Sequence, residues 1–295
     1  KVIMEFDPDI VFHLAAQPLV GFSYLNPSET WAINVMGTVN LLNSLRKINN
    51  FCVTLIITTD KVYKNKEWEH AYREIDALGG DDPYSSSKAA VEIAIESWRS
   101  SFCGNLAHQN PLLRVASARA GNVIGGGDWV RSRIVPDLIY GLQNKEEVLI
   151  RNPTSTRPWQ HVLEPLSGYL RLAELMYLNK ENQLLDSSFN FGPNLQSNYK
   201  VRDLVNHCLN YWDGEVVEQN NIKGPHEAGL LNISIEKAHH LLGWDPTWDF
   251  EKTVEKTILW YKKVLKNEVS HLDCCLSDLN DFQDDLENNS NSVCK

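Results

Sequence analysis

Two short strings carry residues able to do chemistry together: TTDKVY at 58–63 and YSSSK at 84–88. In the second, Tyr84 and Lys88 are four residues apart, which on a helix puts a phenol and an ammonium on one face. The ammonium favours the phenolate, and a phenolate can take a proton from an alcohol. The first string sets the hydroxyl of Thr59, the carboxylate of Asp60 and the amine of Lys61 side by side, directly after an apolar run. Together they offer a base for an alcohol proton, a base for a carbon proton and an acid for a leaving group.

The surrounding pattern alternates strands with helices. Residues 9–16 (DIVFHLAA) suit a buried parallel strand. Ser28 caps a helix to about residue 48, with Trp31, Val35, Val39, Leu42 and Leu45 on one stripe. Residues 52–57 form the next strand and end in TTDK, a helix covers 85–102, and 112–118 form a further strand followed by GNVIGGGDW. This predicts an α/β fold with a doubly wound parallel sheet, whose ligands bind beyond the carboxyl ends of the strands. Residues 58–61 and 121–129 fall at such ends. Three parts are expected: a parallel-sheet domain over 1–120, a mixed α/β substrate lobe over 121–280 interleaved with the last sheet strands, and a disordered tail over 281–295 rich in Asp, Asn and Ser. The glycines at 125–127 are expected to form a flexible turn beside the substrate.

Composition narrows the class. The chain has 295 residues, 43% hydrophobic and 22% charged, which allows a sizeable core. A net charge of −10 argues against a non-specific nucleic-acid binder. No apolar stretch is long enough to span a bilayer. The six cysteines lack metal spacing and read as reduced thiols. The nine histidines show no ligand spacing either, so no metal is assigned. His13 reads as a satisfied core residue, and His239 and His240 as helix surface.

HLAAQ, NVMGT, TTD and YSSSK, in this order, resemble the extended short-chain dehydrogenase/reductase family that acts on nucleotide sugars. The resemblance runs from about residue 7 to residue 261. It implies a Rossmann-like sheet, NAD as cofactor, and Tyr84 and Lys88 as the pair beside it. Thr58, Ala15 and Ala16 would also flank the cofactor, and Thr59 would hydrogen-bond the sugar hydroxyl. An acidic residue after the threonine marks the 4,6-dehydratases, most of which follow it with glutamate; this chain has Lys61 there. TTDKVY, RAGNVIGGGDW and RNPTSTRPWQHVLEPLSGYL together resemble the CDP-glucose branch.

That resemblance implies CDP-glucose as substrate, with Tyr84 taking the C4 hydroxyl proton, Lys61 the C5 proton, and Asp60 protonating the departing C6 hydroxyl. As a base, Lys61 must be neutral, so its ordinary pKa of about 10.4 must fall. Asn122, Arg151 and Arg157 would hold the phosphates or the sugar, the guanidinium donors matching an anion as a fork. It further implies a cytoplasmic enzyme of deoxysugar biosynthesis, as for lipopolysaccharide O-antigen. A homodimer would pair the 28–48 and 85–102 helices in a four-helix bundle.

No GxxGxxG follows an opening strand, so by the family pattern roughly 60–80 residues, the first βα units, are expected to be missing. Two other readings stay open: a nucleotide-sugar epimerase or another sugar dehydratase, and a fragment that only binds nucleotide or dimerises.

Overall fold

The computed structural model describes residues 2–150, 152–194, 198–218 and 229–293. In chain order the main elements are α1 (Val2–Phe6), β1 (Ile10–His13), α2 (Val20–Leu25), α3 (Pro27–Trp31), a π turn (Ala32–Met36), α4 (Gly37–Leu45), β2 (Cys52–Ile57), a 3-10 turn (Asp60–Val62), α5 (Pro83–Phe102), β3 (Leu113–Ala120), β4 (Val123–Ile124) and α6 (Ile134–Asn144). There follow β5 (Val148–Ile150), β6 (Thr156–Pro158), β7 (Gln160–His161), α7 (Leu163–Leu178), β8 (Ser188–Phe191), β9 (Asn198–Lys200), α8 (Val201–Leu209), β10 (Val216–Glu218), α9 (Glu236–Leu242), α10 (Phe250–Leu265) and α11 (His271–Val293).

The chain divides into two compact units. The first comprises Lys1–Ala120, Ser167–Phe191 and Ile233–Trp244. Its centre is a four-stranded, wholly parallel sheet in the order β1-β2-β3-β8. Every residue of β2 but its last is buried, as expected of a strand covered on both faces. The helices close over it through Leu42, Leu45, Val91 and Ile95, with Ile48 of the loop after α4, against Cys52, Ile56, Leu113 and Val115. The helix expected over 28–48 is broken by the π turn at Ala32–Met36, a one-residue surplus common at functional sites. The late strand β8 pairs with β3, so residues of the 121–280 stretch are shared between the two units.

The second unit comprises Gly121–Leu166, Gly192–Asn232 and Asp245–Lys295. Short strands pair as β4 with β7, β5 with β10, and β6 with β9. Its core gathers Leu138, Ile139 and Leu142 of α6, Leu204 and Val205 of α8, and Val254, Ile258 and Tyr261 of α10.

Two expectations are corrected here. The 281–293 segment is not disordered but belongs to the long helix α11. Its few apolar side chains sit where they count: Phe282 is buried against the Trp248 ring, Cys274 is buried, and Asp278 and Asp281 pair with Lys256. Nor is the 125–127 glycine run a loose turn. A Cβ on Gly126 would lie 2.1 Å from the Trp260 ring, and the Tyr261 hydroxyl donates to the carbonyls of Gly125 (3.3 Å) and Asp128 (2.6 Å). Glycine is needed there because the backbone lies directly on an indole.

Candidate active site

The YSSSK segment is fixed by its helix start. Asp82 caps α5, accepting from the Ser85 N–H at 2.9 Å and from its hydroxyl at 2.5 Å, and Pro83 fills the first turn where a missing N–H costs nothing. Ser86 donates back to the Asp82 carbonyl at 2.8 Å. Ser87 donates to the Tyr84 carbonyl at 2.7 Å and accepts from Asn34 at 2.9 Å. All three serines thus set the orientation of the turn that carries Tyr84 and Lys88. Tyr84 is buried, as is Lys88, whose ammonium donates to the Ile57 carbonyl at 3.1 Å.

Ile57 is the last residue of β2, so Lys88 reaches the strand end from which the 58–61 segment departs. There Thr58 continues the ladder, its N–H donating to the Ala118 carbonyl at 2.8 Å. Thr59 caps the 3-10 turn: its hydroxyl accepts from the Lys61 N–H at 3.3 Å and donates to Asp60 Oδ1 at 3.0 Å. Asp60 is 1% exposed, whereas Lys61 is half-buried. Tyr84, Lys88, Thr58, Thr59, Asp60 and Lys61 therefore all belong to the first unit, with α5 packed on the 3-10 turn.

Ala15 and Ala16 follow β1, which is parallel to β2 with His13 opposite Ile56, so they leave the sheet at the same carboxyl edge. In such sheets ligands bind beyond that edge. The chain's residues at this edge fit the nicotinamide end of NAD: Ala15, Ala16 and Thr58 beside the strands, and Tyr84 and Lys88 on the helix.

Burial pushes Lys88 down to about 8 from its ordinary 10.5, while the Glu92 carboxylate pulls it back up. Between these values the unfolded chain holds more protons on this group than the folded one, so Lys88 makes stability rise with pH from about 8 to above 10. In urea titrations Lys88→Met is expected to gain about 2–3 kcal/mol on the parent at pH 7, a gap that closes by pH 10. A gap constant with pH would contradict the buried ammonium.

Four residues that the sequence did not single out complete this framework. Asn34, in the π turn, accepts from the Gln17 N–H (2.8 Å) and donates to the Gln17 carbonyl (3.1 Å) and to Ser87. Gln17 in turn donates to Thr30 at 2.9 Å. HLAAQ, NVMGT and YSSSK are thereby laced together around one asparagine. A polar amide in the middle of an apolar helical stripe was the available signal. The others, Glu92 and Arg119, form an ion pair at 2.7 Å with both side chains buried. His13 is satisfied, its Nε2 at 3.2 Å from the Thr38 hydroxyl, and burial lowers its pKa, but it is half-buried rather than a core residue, because β1 alternates exposed and half-buried positions.

In the second unit, the string around Arg157 is a frame. Gln160 donates to the Gly121 carbonyl at 3.0 Å, the His161 Nδ1 accepts from the Leu163 N–H at 3.3 Å, and Glu164 accepts from the backbone of Thr247 and Trp248 at 2.9 and 2.7 Å. Arg157 lies on β6, buried rather than a surface ion-pairing residue, and donates to the Thr156 carbonyl at 2.9 Å. Asn122 stands between β3 and β4 with φ +46°, a left-handed conformation that asparagine tolerates. Arg151 lies outside the described residues. Among those described, no helix is long and apolar enough to cross a membrane.

The model of the family described as GDP-mannose 4,6 dehydratase matches residues 1–257 of this chain. The chain belongs to that family. Within it, the CDP-glucose 4,6-dehydratase of Salmonella typhimurium is 41% identical over 283 residues, covering 95% of this chain and 77% of that protein. Among solved structures, the fold is similar to that of UDP-glucose 4-epimerase from Thermotoga maritima (TM-score 0.73, 21% identity, 90% of this chain and 80% of that one). It is also similar to a dTDP-glucose 4,6-dehydratase double mutant from Streptomyces venezuelae, solved with NAD bound (TM-score 0.71, 20% identity, 86% and 73%).

Proposed function

We propose that this chain converts CDP-glucose to CDP-4-keto-6-deoxyglucose and water with NAD as cofactor, as a CDP-glucose 4,6-dehydratase. The observation that carries this reading is the likeness to the Salmonella enzyme over nearly the whole chain. The acid–amine pair Asp60–Lys61 beside the YSSSK helix is the chemistry such a reaction needs. NAD, when bound, would supply the hydride chemistry at C4 and C6 of the same sugar.

The rest falls to the protein. Tyr84 takes the proton of the C4 hydroxyl as that carbon becomes a ketone, with Thr59 hydrogen-bonding the same oxygen and Lys88 favouring the phenolate. The ketone acidifies C5, whose proton goes to Lys61. Asp60 gives its proton to the C6 hydroxyl, which departs as water, and Lys61 returns a proton to C5. Tyr84 then releases and Asp60 regains a proton through solvent, so the balance is the loss of one water. Asn122, Arg151 and Arg157 serve the nucleotide phosphates.

We read the enzyme as cytoplasmic and as serving lipopolysaccharide O-antigen synthesis. Trp31, Ile33, Met36 and Ile93 are exposed apolar side chains on the α3–α4 stretch and on α5. They suit a homodimer through a four-helix bundle, which sedimentation would test.

Incubating the chain with NAD and CDP-, dTDP- or UDP-glucose, followed by NMR of the sugar, tests the function. A 4-keto-6-deoxy product from CDP-glucose alone is expected. Preferential turnover of another nucleotide sugar, or a C4 epimer as product, would overturn it.

A further inference from the structure

Glu92 lies one helical turn after Lys88 on the same face of α5 and is 2% exposed. Its Oε1 accepts from the Thr58 hydroxyl at 2.5 Å, and its Oε2 from Arg119 (2.7 Å), Ser117 (2.9 Å) and Ser188 (3.1 Å). Arg119 extends the chain of contacts: its second amino group donates to the Tyr63 hydroxyl at 3.0 Å, which donates to Asn190 at 2.6 Å. Thr58 and Tyr63 are the first and last residues of the TTDKVY segment. One buried ion pair therefore grips both ends of the loop that carries Asp60 and Lys61, and does so from the helix that carries Tyr84 and Lys88.

Stability alone does not call for such a pair. Two charges taken from water lose much of what their attraction returns, and apolar replacements of similar volume often serve as well. What apolar residues would not do is hold two hydroxyls at fixed points or place a negative charge one turn from a buried ammonium.

We propose that Glu92, braced by Arg119, is a positioning residue of the active site, fixing the 58–63 segment against the YSSSK helix and placing a negative charge one helical turn from Lys88. This rests on the reading of Tyr84 and Lys88 as the proton-handling pair. The groups around Lys88 are Tyr84 and Glu92 on its own helix and His13 from β1, with Arg119 from β3 behind Glu92. Glu92 opposes the burial that drives Lys88 toward neutrality, so its loss makes the lysine give up its proton at lower pH.

The test reads the lysine directly in the full chain without cofactor, so it stands or falls apart from the turnover assay. [ε-¹³C]Lysine is incorporated, the Lys88 resonance assigned by its absence from Lys88→Arg, and its midpoint followed against pH. In the parent it is expected near about 8. In the double variant Glu92→Leu/Arg119→Met, which removes both charges and keeps the core filled, it is expected to fall by about one pH unit or more. Glu92→Asp, which keeps the charge, is expected to stay within about half a unit of the parent. A folded double variant whose Lys88 titrates within about 0.2 units of the parent overturns the proposal. So does a Glu92→Asp midpoint that falls as far as the double's. A double variant that does not fold assigns the pair to structure alone and overturns it equally.

Discussion

Lys61→Met is expected to abolish exchange of the C5 hydrogen with solvent while leaving oxidation at C4 intact. Methionine keeps the length and apolar stem of lysine and removes only the amine, so loss of exchange isolates the proton-transfer role. The side chain is half-buried on the 3-10 turn, and the turn itself is held by the Thr59 cap and backbone, which the substitution leaves in place. A positioned base contributes about 10²–10⁴-fold to a proton transfer, so overall turnover should fall by that order. The measurement is deuterium uptake at C5 from D₂O, alongside the amplitude of reduced cofactor in a single turnover. Undiminished uptake would leave Lys61 as a charge that merely stabilises an enolate, and C4 oxidation that falls in parallel would make it a binding residue.

The second large effect concerns folding. Arg119→Met removes the cation that faces Glu92 and strands a carboxylate that is almost wholly inside the protein. Breaking a buried pair from one side costs about 3–5 kcal/mol, far more than replacing both partners. The loss should ease as pH falls, because a stranded carboxylate can be neutralised by a proton. In the parent, burial raises the Glu92 carboxyl, but Arg119 and the surrounding hydroxyls more than offset this and hold it below the ordinary value. That contribution is present above the unfolded pKa and is lost as pH falls through the folded one. Urea titration of parent and variant at pH 7 and pH 5 measures both: a wide gap at pH 7 and a narrower one at pH 5 are expected, and equal gaps would refute the charge argument.

The parts of this molecule that were legible in the sequence are those whose cause is local. TTDKVY ends a strand, YSSSK opens a helix behind an Asp-Pro start, and both follow from residues within a few positions of one another. What was not legible depends on partners far along the chain. Asn34 meets Ser87 across 53 positions, and Arg119 meets Glu92 across 27, so neither pairing leaves a periodic trace. That late strands return to the sheet was expected, but not that β8 pairs with β3, since that pairing joins residues about 70 positions apart. Helix α11 was missed because its composition is that of a solvated tail, and a few buried contacts outweigh it. The 125–127 glycines misled in the other direction: Gly126 is small so that Trp260 can lie against it, and Gly125 so that Val162 can.

The surplus residue at Ala32–Met36 has a bearing on how this helix can tolerate change in length. Elsewhere in it, excising a single codon would swing everything downstream by about 100° around the axis and turn Leu42 and Leu45 away from the sheet. Within the π turn the same excision restores regular winding and leaves both flanks in phase. The scaffold would survive while Asn34 lost its grip on Gln17 and Ser87, so shape and activity come apart at this one spot.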